Sequence, residues 1–180
     1  IAWQSMARDG YESDRNRLCV YELATGKKNY VSDKFDSSIE GFVWNKDNKS
    51  LSFIGVWHGT LNLYQANFKG EVKQITNEWA DYGSISLANN GNKLLATKAS
   101  MSHPTDIYIV TPGKDAKSTK VEQITRENDH ILSQLNLGKC EQRWVKTTDG
   151  KQMLVWIMLP SNFDANKKYP TLLFCEGGPQ

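Results

Sequence analysis

Cysteine is scarce and scattered. Cys19, Cys140 and Cys175 are the only three, and no Cys-x-x-Cys pair occurs among them, which argues against a disulfide framework or a zinc site and leaves buried free thiols as the ordinary reading. Neither a metal ligand set nor a cofactor motif is expected. An excess of one charge is missing too. The 22 basic and 20 acidic residues leave a net +2 spread along the chain, so no electrostatic footprint for nucleic acid or for an acidic surface is present. No apolar run approaches the roughly 20 residues of a membrane-spanning helix, and Ile1-Ala2-Trp3 does not open a signal peptide. That start reads as internal, so it carries no information about export. Helical periodicity is almost absent. With 39% hydrophobic and 11% aromatic residues in 180, the composition is that of a globular chain forming one ordinary domain or parts of two.

What the sequence does contain is repetition. Tyr30-Val31-Ser32-Asp33, Gln74-Ile75-Thr76-Asn77 and Gln123-Ile124-Thr125-Arg126 close three segments in the same way, 75 − 31 = 44 and 124 − 75 = 49 residues apart. Each ending follows a strand of aromatic or branched residues: Leu18 to Tyr21, Leu61 to Tyr64 and Ile107 to Val110. Earlier in two of the units, Gly41 to Trp44 and Ser84 to Leu87 pass through polar turns into Leu51 to Ile54 and Leu94 to Thr97. Asn90-Gly91 suits a two-residue hairpin turn, whose central positions want positive φ. About four short strands at a period in the forties is the pattern of a β-propeller blade. The expected fold is therefore mainly all-β, with partial, open blades of four antiparallel strands: a partial blade over 1–33 and blades over 34–79 and 80–126. Rings close at about 4 to 8 blades, so an open edge is expected and the chain reads as a fragment. Open edges predict homo-oligomers or strand exchange.

The rhythm lapses over a junction at 127–140. From Glu141 a different unit begins, with a hairpin through Thr148-Asp149-Gly150-Lys151 and an apolar run, Thr171-Leu172-Leu173-Phe174-Cys175, that meets Glu176-Gly177-Gly178-Pro179-Gln180. Such a run bounded by turn residues reads as a strand buried on both faces, as inside an α/β sheet. The adjacent glycines let backbone amides approach a ligand closely.

Asp149-Gly150-Lys151, Trp156 to Pro160, Phe163-Asp164, Lys167-Lys168-Tyr169-Pro170 and Gly177-Gly178-Pro179 resemble, in order and spacing, the entry into the hydrolase domain of prolyl oligopeptidase family serine peptidases, nearest the dipeptidyl peptidase and acylaminoacyl peptidase branch. Met101 to Tyr108 and Arg8 to Asp14 resemble propeller segments of the same family. The resemblance implies that 141–180 holds the N-terminal strands of an α/β-hydrolase domain and that the parent hydrolyses short peptides beneath a propeller that screens substrates. Such enzymes carry their serine in a Gly-x-Ser-x-Gly elbow, with Asp and His after it. No elbow occurs in these residues, so the resemblance places the triad beyond Gln180 and implies a chain inactive alone. It suggests a periplasmic location, with a cytoplasmic one as the alternative. A non-catalytic propeller module that binds proteins or peptides is the rival reading.

The resemblance makes Glu176, Gly177 and Gly178 candidates for an oxyanion loop, with one departure. The family commonly has His or Tyr where Glu176 stands, and an ionised carboxylate accepts hydrogen bonds but cannot donate them. Backbone amides near Gly177 suit the oxyanion better, leaving Glu176 to orient the loop or meet a cation. Glu12 and Asp14, by analogy with aminodipeptidases, are candidates for a peptide's α-ammonium. Against this stands a solvated hairpin with Asp14 paired to Arg15 or Arg17. His58, His103 and His130 are read as structural, and Trp44, Trp57, Trp79, Trp144 and Trp156 as core and inter-blade packing. Asn48-Lys49-Ser50 matches a glycosylation pattern common by chance.

Overall fold

The computed structural model describes residues 1–89 and 91–175. Among the described residues, alternating apolar and polar positions between turns give thirteen strands and one helical turn. The first sheet pairs β1 (Ala2–Ser5), β2 (Arg17–Glu22) and β3 (Lys27–Tyr30) in that order. The middle blade is β4 (Ile39–Trp44), β5 (Ser50–Trp57), β6 (Thr60–Asn67) and β7 (Val72–Gln74). The third is β8 (Asp81–Leu87), β9 (Leu94–Ser100), β10 (His103–Thr111) and β11 (Lys120–Gln123). Within each blade, sequential strands pair antiparallel; β6 and β8 meet at one parallel bridge, Leu61 to Asp81. The first sheet thus supplies the second, third and fourth strands of its blade.

The closing segments that mark the repeat have a physical basis in the structure. The backbone N–H groups of Val31, Ile75 and Ile124 donate to the carbonyls of Leu18, Leu63 and Ile107 at 2.9, 2.8 and 2.8 Å. In return the amides of Leu18, Leu63 and Ile107 donate to the hydroxyls of Ser32, Thr76 and Thr125 at 2.8, 2.9 and 2.9 Å. The residues after each outer strand therefore pin the third strand, and the side-chain oxygen takes an amide that the ladder leaves unpaired.

Two cores fill the spaces between blades. Leu18, Val20, Val31, Phe35, Ile39, Leu51 and Phe53 pack between the first and middle blades, joined by Tyr64 and Ala66. Ile54, Leu63, Ile75, Tyr82, Leu94, Ala96 and Val110 pack between the middle and third. Successive residues of β5 point to opposite cores, which is why that strand is buried along most of its length. Phe35, Phe53 and Tyr64 form a ring cluster with centroids 4.6 to 5.6 Å apart. A Cβ at Gly55 would lie 2.6 Å from Phe35 and 2.7 Å from Tyr64, so only glycine leaves those rings their place.

Residues 124–139 carry no strand, only the helical turn α1 (Asp129–Leu132). β12 (Cys140–Lys146) and β13 (Gln152–Met158) then form a two-stranded antiparallel hairpin closed through Thr147 and Lys151. Two sequence expectations are corrected here. The run Thr171 to Cys175 is not part of a sheet and not buried: Leu172, Leu173 and Phe174 are 98%, 85% and 86% exposed. A strand buried on both faces needs neighbours for its amides and carbonyls, and no described strand offers them. The connection around Asn90-Gly91 is longer than a two-residue turn. Ala88 N–H donates to Lys93 O at 2.9 Å and Gly91 adopts φ +69°, matching the 45–50 loop, where Asn48 takes φ +52°; Asn90 itself lies outside the described residues. Positive φ at both central positions occurs instead at His58-Gly59, between β5 and β6.

Replacing Thr76 by Val keeps the shape but removes an oxygen that serves two buried partners. It should cost about 2 kcal/mol, the usual penalty for orphaned buried polar groups. Urea unfolding measures this; a loss below a few tenths would show that the hydroxyl is dispensable.

Candidate functional site

The hairpin-facing end of the blades carries the candidate site residues Glu12 and Asp14 and a polar network. The second-to-third-strand connections are residues 6–16, 58–59 and 101–102, and the links to the next blade leave from the same end. The hairpin β12–β13 docks there. Gln142 Nε2 donates to His58 O at 3.5 Å, and the His58 ring sits between Trp57 at 4.4 Å and Trp144 at 5.0 Å. Trp156 meets Trp79 edge-on at 5.5 Å, and its indole Nε1 lies 2.7 Å from where a Cβ on Gly59 would be. Trp44 packs on the first core and on Phe68, as the sequence suggests. Trp79 and Trp144, by contrast, stay 56% and 48% exposed and serve the hairpin contact rather than a core. Beside them lies a cleft of about 410 Å³ lined by Thr60, Trp79, Asp81, Met101, Cys140 and Trp156.

A polar network stiffens this end of the third blade. Asn62 accepts the Glu78 N–H and donates to the Glu78 carbonyl, both at 3.0 Å, and accepts the Thr76 hydroxyl at 2.9 Å. The Glu78 carboxylate receives the Tyr82 hydroxyl at 2.5 Å and the Lys98 ammonium at 3.2 Å, while Lys98 lies 4.2 Å from the centre of the Tyr108 ring. Burial, then the Glu78 carboxylate, push the Tyr82 phenol far above the usual tyrosine range, so it remains a donor. Asp106, 3% exposed, accepts Thr125 Oγ1 at 2.5 Å and Gln123 Nε2 at 3.1 Å. His103 Nδ1 stands 3.8 Å from Asp106, and its Nε2 4.0 Å from Asp129. Asn62 and Asp106 each precede the pinned third-strand residue, as Arg17 does in the first sheet.

The loop 6–16 is closed on itself. Asp14 accepts Arg8 Nη2 at 2.6 Å, Arg8 Nε at 3.0 Å and the Arg8 backbone N–H at 2.9 Å. The Tyr11 ring lies 3.6 Å from the guanidinium carbon. Asp14 is thus paired as the bland reading expects, but with Arg8. Arg15 and Arg17 turn to Asp33 at 3.4 and 3.2 Å. Hydrogen bonds from Arg8 hold the Asp14 carboxyl below the usual carboxylate range. Glu12 occupies the apex between Tyr11 and Asp14. His58 and His103 face rings, a carbonyl and carboxylates rather than a nucleophile, and His130 belongs to α1. Glu176, Gly177 and Gly178 lie outside the described residues.

Sequence reasoning missed Arg8 as the partner of Asp14 and missed the Glu78, Tyr82 and Lys98 network. The signal for the first is an arginine and an aspartate six residues apart across Gly10, and for the second the strand-closing Thr76 that precedes Glu78.

No family model matches the chain. Over its whole length it is 44% identical to dipeptidyl-peptidase 5 of Porphyromonas gingivalis, covering 26% of that protein. It is 42% identical over its whole length to the protein of that name in Porphyromonas endodontalis, covering 25%, so it spans about a quarter of the curated relatives it matches. Among solved structures, a putative dipeptidyl aminopeptidase IV from Bacteroides ovatus matches 94% of this chain with 26% of its own, at TM-score 0.58 and 20% identity. The β-propeller domain of the Trilobed protease from Pyrococcus furiosus matches 75% of this chain with 37% of its own, at TM-score 0.56 and 19% identity. Four-stranded blades left open at their edges define a propeller of the kind found in such peptidases. The sequence relationship is narrower: along its whole length the chain is similar to dipeptidyl-peptidase 5 proteins, matching about a quarter of each.

Gly59→Ala places a methyl group against the Trp156 indole at a residue with φ +68°. The left-handed backbone alone costs about 1–2 kcal/mol. Amide exchange in Gln142 to Trp156 should speed up; unchanged exchange would show that the turn does not hold the hairpin.

Proposed function

We propose that the protein carrying this chain is a serine peptidase that releases short peptides, dipeptides foremost, through an acyl-enzyme. In this reading residues 1–126 supply propeller blades, 127–140 the junction and 141–180 the first strands of the α/β-hydrolase domain, with serine, aspartate and histidine outside these 180 residues. The observation that carries it is the match to dipeptidyl-peptidase 5 proteins over the entire chain. The docking of β12–β13 on the 58–59 turn supports the same reading, because it turns that end of the blades toward the unit in which the catalytic strands would begin.

The recognition group for a peptide's α-ammonium is then Glu12. Asp14 accepts three hydrogen bonds from Arg8, and Glu12 stands beside it on the same loop, which leaves the hairpin-facing end. Gly177 and Gly178 supply backbone amides to the oxyanion, with Glu176 orienting them. In the full-length enzyme, Glu12→Gln should lower kcat/KM for dipeptidyl substrates with a free amino terminus by roughly tenfold, leave N-blocked ones unchanged, and preserve the rate dependence on Glu176 tested by Glu176→Gln. Equal losses on free and blocked substrates would remove Glu12 from the site. An enzyme indifferent to serine-directed acylating reagents would favour a propeller that only binds peptides.

The open blade edges and the exposed Leu172-Leu173-Phe174 also support self-association of the 180-residue chain by strand pairing. Light scattering should show dimers or larger species as concentration rises; a monomer at every concentration would refute it.

A further inference from the structure

The end of the blades opposite the docked hairpin carries the turns 23–26, 45–49 and 68–71. Between the first sheet and the middle blade these turns leave a cavity of about 980 Å³, at the upper end of the roughly 300–1,000 Å³ common for small-ligand sites. Its floor is apolar, formed by Val20 and Val31 of the first core. Its wall is aromatic: Trp44 meets Phe68 edge-on at 5.9 Å, and Phe68 stays 40% exposed, so part of that ring is open to a further apolar group. The wall is held from both blades, because Asn29 Nδ2 donates to Phe68 O at 2.8 Å across the gap. The rim carries both signs of charge. Glu22 and Lys27 line the cavity from directly opposite positions on β2 and β3, where unlike charges ordinarily pair. Here the Glu22 carboxylate accepts the Thr25 hydroxyl within the turn instead, and among the described residues no carboxylate forms an ion pair with Lys27. The Lys28 ammonium turns to the Trp3 and Tyr30 rings, 5.5 and 4.8 Å from their centres. From the middle blade Asn48, at φ +52°, completes the rim.

We propose that this cavity binds a zwitterionic peptide of a few residues bearing an aromatic or large aliphatic side chain. The apolar side chain enters between Val20 and the Phe68 ring, the α-ammonium pairs with Glu22 and the carboxylate with Lys27. A cation and an anion side by side, not paired with each other, suit a ligand that is itself dipolar; a plain anion would meet Glu22 and a plain cation Lys27. The Asn48 carboxamide both donates and accepts, as a peptide group requires of its partner. The volume suits a short peptide better than a single amino acid. The inference does not rest on the proposed reaction: the cavity lies at the far end of the blades from the hairpin, and no residue of the candidate site lines it.

The test titrates the full-length enzyme with the dipeptide Ala-Phe and reads amide exchange over residues 20–31 and 67–71, separately from any site at the other end of the blades. Exchange there should slow as the dipeptide binds. Phe68→Ala and Lys27→Gln should each raise Kd roughly tenfold, the loss expected for one apolar contact or one charged hydrogen bond. Both side chains are exposed, so the fold is retained. N-acetyl-Ala-Phe, which lacks the ammonium, should bind the native enzyme as weakly as Ala-Phe binds the Glu22→Gln variant, and should be indifferent to that substitution. Ala-Gly, with the same charged ends and no large side chain, should give no protection. Absence of protection by Ala-Phe, or protection unchanged by Phe68→Ala and Lys27→Gln, overturns the proposal. Equal protection by free phenylalanine overturns the peptide as ligand in favour of a single amino acid.

Discussion

The architecture depends on a hydrogen bond that is not part of any ladder. Ser32, Thr76 and Thr125 each present a hydroxyl to an amide within a third strand, while the residue before each sends its own amide to the same strand's carbonyl. An outer strand is an edge, short and half-exposed, with few side chains to anchor it. The reciprocal clasp attaches its end to the third strand of the blade and then releases the chain in a fixed direction toward the next one. Spacing between blades follows from that direction, and so do the two inter-blade cores. The ring cluster of Phe35, Phe53 and Tyr64 fits only because the clasp delivers Phe35 against Gly55.

The loops at the end where the clasps lie differ most from blade to blade. Loops there start from fixed points, so they can vary in length without disturbing the blades. One is two residues long and serves as a seat for the hairpin; another has grown into the closed loop bearing Glu12. Between them the Asn62 and Glu78 network ties the link from the middle blade into the third, and Lys98 brings its charge to the face of Tyr108. Rigidity at this end therefore comes from polar groups that satisfy one another, and the apolar cores set only the distance between blades.

Much of this was legible in the sequence. The closing segments repeat because a hydroxyl is needed at one position, so blade number and period could be read from Ser32, Thr76 and Thr125 before any coordinates. The hairpin through Asp149-Gly150 was likewise marked by its turn residues. The strand expected at Thr171 to Cys175 illustrates the limit: apolar character says that a segment wants burial, but not which neighbour provides it. Asn90-Gly91 shows the same limit on a smaller scale. A dipeptide suited to a tight turn sits in a longer loop because the pairing of Ala88 with Lys93 sets the length. The site was less legible still, because the choice of Arg8 over Arg15 or Arg17 as the partner of Asp14 depends on how the loop folds back, and spacing along the chain carries no such information.

The position just before each pinned residue has a consequence of its own. It holds Arg17 in the first sheet, Asn62 in the middle blade and Asp106 in the third. In the middle and third blades this side chain accepts the clasp hydroxyl, Thr76 to Asn62 at 2.9 Å and Thr125 to Asp106 at 2.5 Å, whereas in the first sheet Arg17 turns to Asp33 instead. One hydroxyl thus ties a backbone amide to a neighbouring side chain in two blades and serves the amide without it in the other, so the same clasp is built beside a cation, a neutral amide and an anion.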